Sequence, residues 1–120
     1  MNIGIIGYGS MGKMLVEKFL ETENIFDEIY VSNRNPEKIS HLANVVNICE
    51  NNSDLAENAQ VIVMCVRPTD IKAVLEDIMG KISDDAIIVS LNGSVSFESL
   101  AKVTRHKMAK VIPSITAEIN

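Results

Sequence analysis

The chain has 120 residues, enough for one domain with a real core and little more. Hydrophobic residues are 47% of it and charged residues 22%, the balance of an ordinary soluble globular protein. A net charge of −5 argues against non-specific binding to nucleic acid or an anionic membrane, whose phosphates would repel it, but leaves room for a phosphate-bearing small molecule where local donors converge.

Asn2 to Ile6 is a short apolar run ending in glycine and reads as a buried strand. Ser10 to Glu23 reads as a helix, with Met11, Met14, Leu15 and Phe19 recurring at three- and four-residue steps to form one apolar face. Glu28 to Ser32 is a second strand. Asn35-Pro36 starts a helix, Asn as N-cap and Pro in the first helical position. Val45 to Ile48 is a weak third strand, and Asn52-Ser53-Asp54 opens a short helix ending near Asn58. Val61 to Val66 is apolar throughout, as expected of a strand buried on both faces in the middle of a parallel sheet. A helix from Thr69 to Met79 closes at Gly80, Ala86 to Leu91 is a fifth strand, Ser96 to Val103 a helix, and Met108 to Ile112 a sixth strand. Strands and helices alternate from end to end, which predicts an α/β fold: a doubly wound parallel sheet of Rossmann type with helices on both faces. In such a sheet ligands bind at the carboxyl ends of the strands, where the strand order reverses.

The chemistry points to the same place. Gly7-Tyr8-Gly9-Ser10-Met11-Gly12 is a G-x-G-x-x-G that follows a predicted strand and opens a predicted helix, the context a dinucleotide site requires. Gly7 allows the tight turn, Gly9 lets the backbone approach a pyrophosphate, and Gly12 lets helix and strand pack closely. Unpaired N–H groups at the helix start then face the phosphates. The bland alternative is a tight turn without a ligand. Tyr8 lies near the pyrophosphate or is simply exposed with its loop. At the end of the second strand, Val31-Ser32-Asn33-Arg34-Asn35 has no carboxylate to accept ribose hydroxyls. Arg34 can instead pair bidentately with a 2′-phosphate, with Ser32 and Asn33 adding hydrogen bonds, so the expected cofactor is NADP(H). Otherwise Arg34 is a solvated loop charge. The far half of the site is expected from Cys65-Val66-Arg67-Pro68 after the fourth strand and Asn92-Gly93 after the fifth. Arg67 is either a phosphate or ribose contact or a plain surface charge.

Other residue types add little. Cys49 and Cys65 are too few for a disulfide framework and read as buried thiols in a reducing cytoplasm. His41 and His106 share no ligand-like spacing with them, so no metal site is expected. No apolar run approaches the roughly 20 residues of a membrane span, and Met1 to Gly7 lacks the basic flank of a signal peptide. No side chain presents itself as a catalytic acid or base.

Together these landmarks resemble the pyrroline-5-carboxylate reductase family. Ile3 to Met14 looks like its opening, including Met11 inside the glycine motif; Ser32-Asn33-Arg34 looks like its 2′-phosphate loop; Val66-Arg67-Pro68 resembles its Val-Lys-Pro; and Val111-Ile112-Pro113-Ser114 resembles its Met-Pro-Asn stretch. Asn52 falls where the family has an asparagine that contacts the cofactor. Asn92-Gly93-Ser94 departs from the family's Ala-Ala-Gly, and Val-Ile-Pro-Ser-Ile-Thr is closer to a divergent branch of late-competence-protein type. The resemblance implies hydride transfer from NADPH to a small-molecule imine, pyrroline-5-carboxylate, in proline biosynthesis. It also implies that residues 1–120 are the dinucleotide-binding domain, and that the helical domain supplying the substrate pocket and the homodimer contacts is absent from this chain. Two alternatives stay open: a non-enzymatic NADP(H)-binding regulatory module of competence-protein type, and an F420-dependent NADP reductase, a family that shares this amino-terminal unit.

Overall fold

The computed structural model describes residues 1–22, 26–84, 86–90 and 108–109. Its elements are β1 (Ile3–Ile6), α1 (Ser10–Glu21), β2 (Ile29–Ser32), β3 (Asn47–Ile48), α2 (Asn52–Asn58), β4 (Val61–Met64), α3 (Ile71–Ile78), β5 (Ile87–Ser90) and β6 (Met108–Ala109). The strands form one six-stranded sheet in the order β3-β2-β1-β4-β5-β6, and every pair is parallel. This is the doubly wound sheet expected from the alternation of elements. The order reverses between β1 and β4, so the crevice beyond their carboxyl ends is the place for a ligand.

The unbroken apolar runs have the predicted cause. Successive side chains of a strand point to opposite faces, and both faces here are covered. Ile3, Ile5, Val31, Val61, Val63 and Val89 pack with Leu15 and Val16 of α1 in one cluster. Ile6, Ile62, Met64 and Ile88 pack with Leu55 of α2 and with Val74, Leu75 and Ile78 of α3 in the other. Gly4 belongs to this second face. A Cβ there would stand 2.4 Å from Leu55 Cδ2 and 3.0 Å from Ala59 Cβ, so the missing side chain is what lets α2 lie directly on β1. No helix among the described residues is long and apolar enough to cross a membrane.

Several local expectations are corrected. The segment after Asn35 is two 3₁₀ turns, Pro36–Lys38 and Ser40–Leu42, rather than a regular helix. The start signal works as read, since Asn35 Oδ1 accepts from the Glu37 N–H at 3.1 Å. Side chains three apart nearly eclipse in a 3₁₀ turn, and Ile39 and Leu42 have that spacing; both are buried. Val45 belongs to the following turn and is 55% exposed, which shortens β3. β4 stops at Met64, although the Cys65 N–H still donates to the Ile6 carbonyl at 2.8 Å. A 3₁₀ turn at Pro68–Asp70 precedes α3, because Pro68 fixes the first turn. On α1 the buried positions are Gly12, Leu15 and Val16, while Met11 and Met14 face outward. The predicted helix at Ser96 to Val103, the last residues of the sixth strand, Asn92, Gly93 and His106 lie outside the described residues.

Gly4→Ala is expected to destabilise the fold by about 1–3 kcal/mol, the usual cost of overpacking, because Leu55 is fully buried and cannot swing aside. Urea denaturation checks this, and Leu55→Ala in the same chain should recover part of the loss through non-additivity.

Candidate functional site

The carboxyl ends of β1, β2 and β4 open into a cleft of about 760 Å³. Gly7, Tyr8, Gly9, Ser32, Asn33, Arg34, Asn52, Cys65, Val66 and Arg67 all line it, which brings together residues from four separate stretches of chain. Ser10, Met11 and Gly12 belong to the first turn of α1 and Pro68 to the turn after β4; none of these four lines the cleft.

The three glycines carry distinct loads. Gly7 has φ +97°, a left-handed conformation that favours glycine, and a Cβ there would stand 2.7 Å from the Cys65 carbonyl oxygen. Gly12 is buried against the glycine loop, and a Cβ on it would lie 2.0 Å from the Gly7 carbonyl oxygen. Gly9 is the opposite case. It is exposed, and a Cβ built on it would meet nothing within 4 Å. Gly9 also takes the N-cap position of α1, where no side chain caps the helix and no acidic residue stands in the first turn. The amides of that turn and the positive end of the helix dipole are therefore left for solvent or a ligand.

The loop itself is held by β2. The Gly7 N–H donates to the Ser32 carbonyl at 2.9 Å, and the Tyr8 N–H donates to Asn33 Oδ1 at 2.9 Å. Asn33 in turn donates from Nδ2 to the Asn35 carbonyl at 2.9 Å. Asn33 thus clasps the glycine loop to the turn after β2. Tyr8 is buried rather than exposed with its loop, its ring edge-on to His41 at 6.0 Å. Burial, with help from the Glu17 carboxylate, raises the phenol pKa above its ordinary value. Among the described residues Ser32 is the one buried polar side chain. Its hydroxyl donates to Asn52 Oδ1 at 2.7 Å, which leaves the Asn52 amide nitrogen free to turn toward the cleft. Ser32 both orients Asn52 and lines the cleft.

Charge gathers at one end. Arg34 Nη2 lies 3.1 Å from Asp70 Oδ1, and Arg67 Nε lies 3.5 Å from Asp70 Oδ2. Lys38 and Glu50 line the same cleft. Sequence reasoning missed Asp70, Lys38 and Glu50. Arg67 to Asp70 is an i,i+3 spacing open to inspection, but the pairing with Arg34 crosses 36 residues and had no local signal. The two cysteines are half-buried, not fully enclosed as expected. Burial pushes the Cys65 thiol up from 9.0 to about 12. Burial and the Asp54 carboxylate push Cys49 up to about 11. Among the described residues there is no grouping of side chains suited to a metal ion.

Gly12→Ala should unfold the loop or cost several kcal/mol, on the order of the largest single-residue effects, since the clash is with backbone. Gly9→Ala should change stability by about 1 kcal/mol or less, the scale of N-cap differences. Thermal melts of the two variants side by side test the contrast. At pH 8 Cys65 should alkylate about tenfold or more slowly in the native chain than in the unfolded one, because the thiolate is the reactive form. An unfolded thiol ionises near 9.0, so the stability Cys65 contributes is present below that pH and is lost as pH rises toward about 12. A stability difference between the native chain and Cys65→Ala that is flat from pH 8 to 10.5 would contradict this.

Comparison with known proteins agrees with this geometry. A family model described as NADP oxidoreductase, coenzyme F420-dependent, matches residues 2–93. ComE operon protein 4 of Bacillus subtilis is 34% identical over 120 residues, covering 97% of this chain and 44% of that protein. The pyrroline-5-carboxylate reductase of Escherichia coli is 28% identical over 123 residues, covering 98% of this chain and 46% of that protein. A crystal structure of Plasmodium falciparum pyrroline carboxylate reductase with NADP bound superposes with a TM-score of 0.76 at 21% identity, covering 92% of this chain and 41% of that one. The chain spans less than half the length of the curated relatives it matches. A sheet wound in the order β3-β2-β1-β4-β5-β6, a bare glycine turn at its switch point and a matching family model place this chain in the family of coenzyme F420-dependent NADP oxidoreductases, with pyrroline-5-carboxylate reductases among its relatives.

Proposed function

We propose that this chain is the NADPH-binding part of an oxidoreductase of pyrroline-5-carboxylate reductase type, acting on a small cyclic imine. The observation that carries the reading is Gly9: an exposed position with open space where a side chain would stand, at the uncapped start of α1, facing the cleft that Arg34 also lines. A diphosphate fits there, because backbone amides and the helix dipole favour negative charge. The adenosine end then falls to the turn after β2, where Arg34 is the candidate partner for a 2′-phosphate and Asn52, oriented by Ser32, the candidate donor to the ribose. Val66 and Cys65 lie beyond the glycine turn, toward β4, and are the candidate wall for the remainder of the cofactor. When bound, NADPH supplies the hydride for reduction of a C=N bond. The residues of this chain bind it, hold its phosphates and exclude water from the cleft floor.

In this reading residues 1–120 are the dinucleotide-binding domain, and the substrate walls and dimer contacts come from residues equivalent to the rest of the longer relatives. The reading places the protein in the cytoplasm. A second reading, an NADP(H)-binding module that turns over nothing, is compatible with the 34% identity to ComE operon protein 4, whose name specifies no reaction. The matched family's description favours a third, hydride exchange between NADP and F420. An absorbance change of the deazaflavin on mixing with NADPH would select the third.

Calorimetry with NADPH and NADH tests the binding reading. A charge-assisted hydrogen bond is worth about 1.5–3 kcal/mol, so Arg34→Ala should weaken NADPH about tenfold to a hundredfold and leave NADH nearly unchanged. Equal losses for both cofactors would remove Arg34 from the phosphate site. Residues 1–120 alone are expected to reduce pyrroline-5-carboxylate poorly, because the substrate lacks a second wall to hold it in reacting geometry. Brisk proline formation would show that the substrate site is contained in this chain.

A further inference from the structure

We propose that Asp70 sets the cofactor selectivity of the cleft by occupying Arg34 when no phosphate is present and repelling the phosphate that replaces it. This rests on the reading of Arg34 as the 2′-phosphate partner. Arg34 leaves the sheet after β2 and Arg67 after β4, the strands on either side of β1. Asp70 joins them, one carboxylate oxygen to each guanidinium, at 3.1 Å and 3.5 Å. Both arginines are 77% exposed, whereas Asp70 is 23% exposed. The carboxylate is the fixed member of the trio, set at the start of α3, and the guanidinium groups are the movable ones.

Ion pairs with groups this exposed are weak. A phosphate monoester carries close to two negative charges and takes a guanidinium by its two-pronged face. It therefore wins Arg34 from Asp70. The carboxylate does not leave, because the backbone fixes it at the start of α3, and it stands as a like charge beside the phosphate. NADH meets the same residue differently. Its ribose has a neutral hydroxyl there, which a carboxylate does not repel. One side chain thus works against the phosphorylated cofactor and leaves the other untouched, so discrimination by Arg34 is held below what a guanidinium alone would give.

Asp70→Asn removes the charge and keeps the shape. Asp70 makes no side-chain cap to α3, and asparagine is well suited to a helix start, so the variant should fold. Calorimetry with NADPH and NADH on the unaltered chain, Asp70→Asn, Arg34→Ala and the double variant is the test. Expected are NADPH binding about three- to tenfold tighter in Asp70→Asn, the range of a like charge removed at short distance in a wet site, NADH within about twofold, and a smaller tightening when Arg34 is also absent, since the phosphate is then no longer drawn to the carboxylate. Weaker binding of NADPH alone would mean that Asp70 organises Arg34 instead of opposing the phosphate. Equal losses for both cofactors would reduce Asp70 to a structural role, and tightening that persists undiminished without Arg34 would mean a diffuse charge effect; each overturns the proposal. If the unaltered chain binds NADPH over NADH and Asp70→Asn does not tighten it, only this proposal falls. If the unaltered chain binds neither, the reading of the cleft falls with it.

Discussion

The contact between Gly12 and the Gly7 carbonyl governs the amino-terminal half of the molecule. With a Cβ excluded at 2.0 Å, the first turn of α1 rests on the end of β1 with nothing between them. That closeness buries Leu15 and Val16 against the sheet, and it leaves the uncapped start of the helix at the mouth of the cleft. A larger residue would lift the helix and move its amides and dipole with it. Packing and the exposure of those amides therefore share one geometric condition, which is why a motif read for binding also describes the core.

The rest of the frame supports that junction from both sides. β1 pairs with β2 and β4 in level register, Ile3 with Ile29 and with Val61. Each face of these strands is covered by its own apolar cluster. The glycine turn is fixed from the β2 side by two bonds, Gly7 to Ser32 and Tyr8 to Asn33. The Gly7 and Tyr8 amides are thus used to hold the loop, and the open ones begin at the helix. The buried Ser32 hydroxyl is compatible with an apolar interior because Asn52 accepts from it.

Much of this was legible in the chain. The unalternating Val61 to Val66 run announced a central parallel strand, and the glycine spacing announced the switch-point loop, since both signals are local and tied to backbone geometry. What was not legible is tertiary. Ser32 and Asn52 are 20 residues apart, Arg34 and Asp70 are 36, and neither pair leaves a mark on a propensity or a period. Asp70 in particular looks like an ordinary helix-start residue, one of the commonest roles for aspartate. The apolar stripe of α1 misled for a different reason. Met11 and Met14 satisfy the helical spacing as well as Leu15 does, but the close seat of Gly12 rotates the helix so that Leu15 and Val16 face inward.

The level ends of the strands have a consequence for descent as well as for structure. Ile6, Ser32, Met64 and Ser90 stand in register across four neighbours, so the polypeptide quits β1, β2 and β4 at a common height. Mutation can recompose exposed positions beyond that height, Gly9 and Arg34 among them, while Gly7, Tyr8 and Gly12 stay tied to the interior. A lineage built on such a frame is free to exchange one reaction for another while its hydrophobic interior stays as it was.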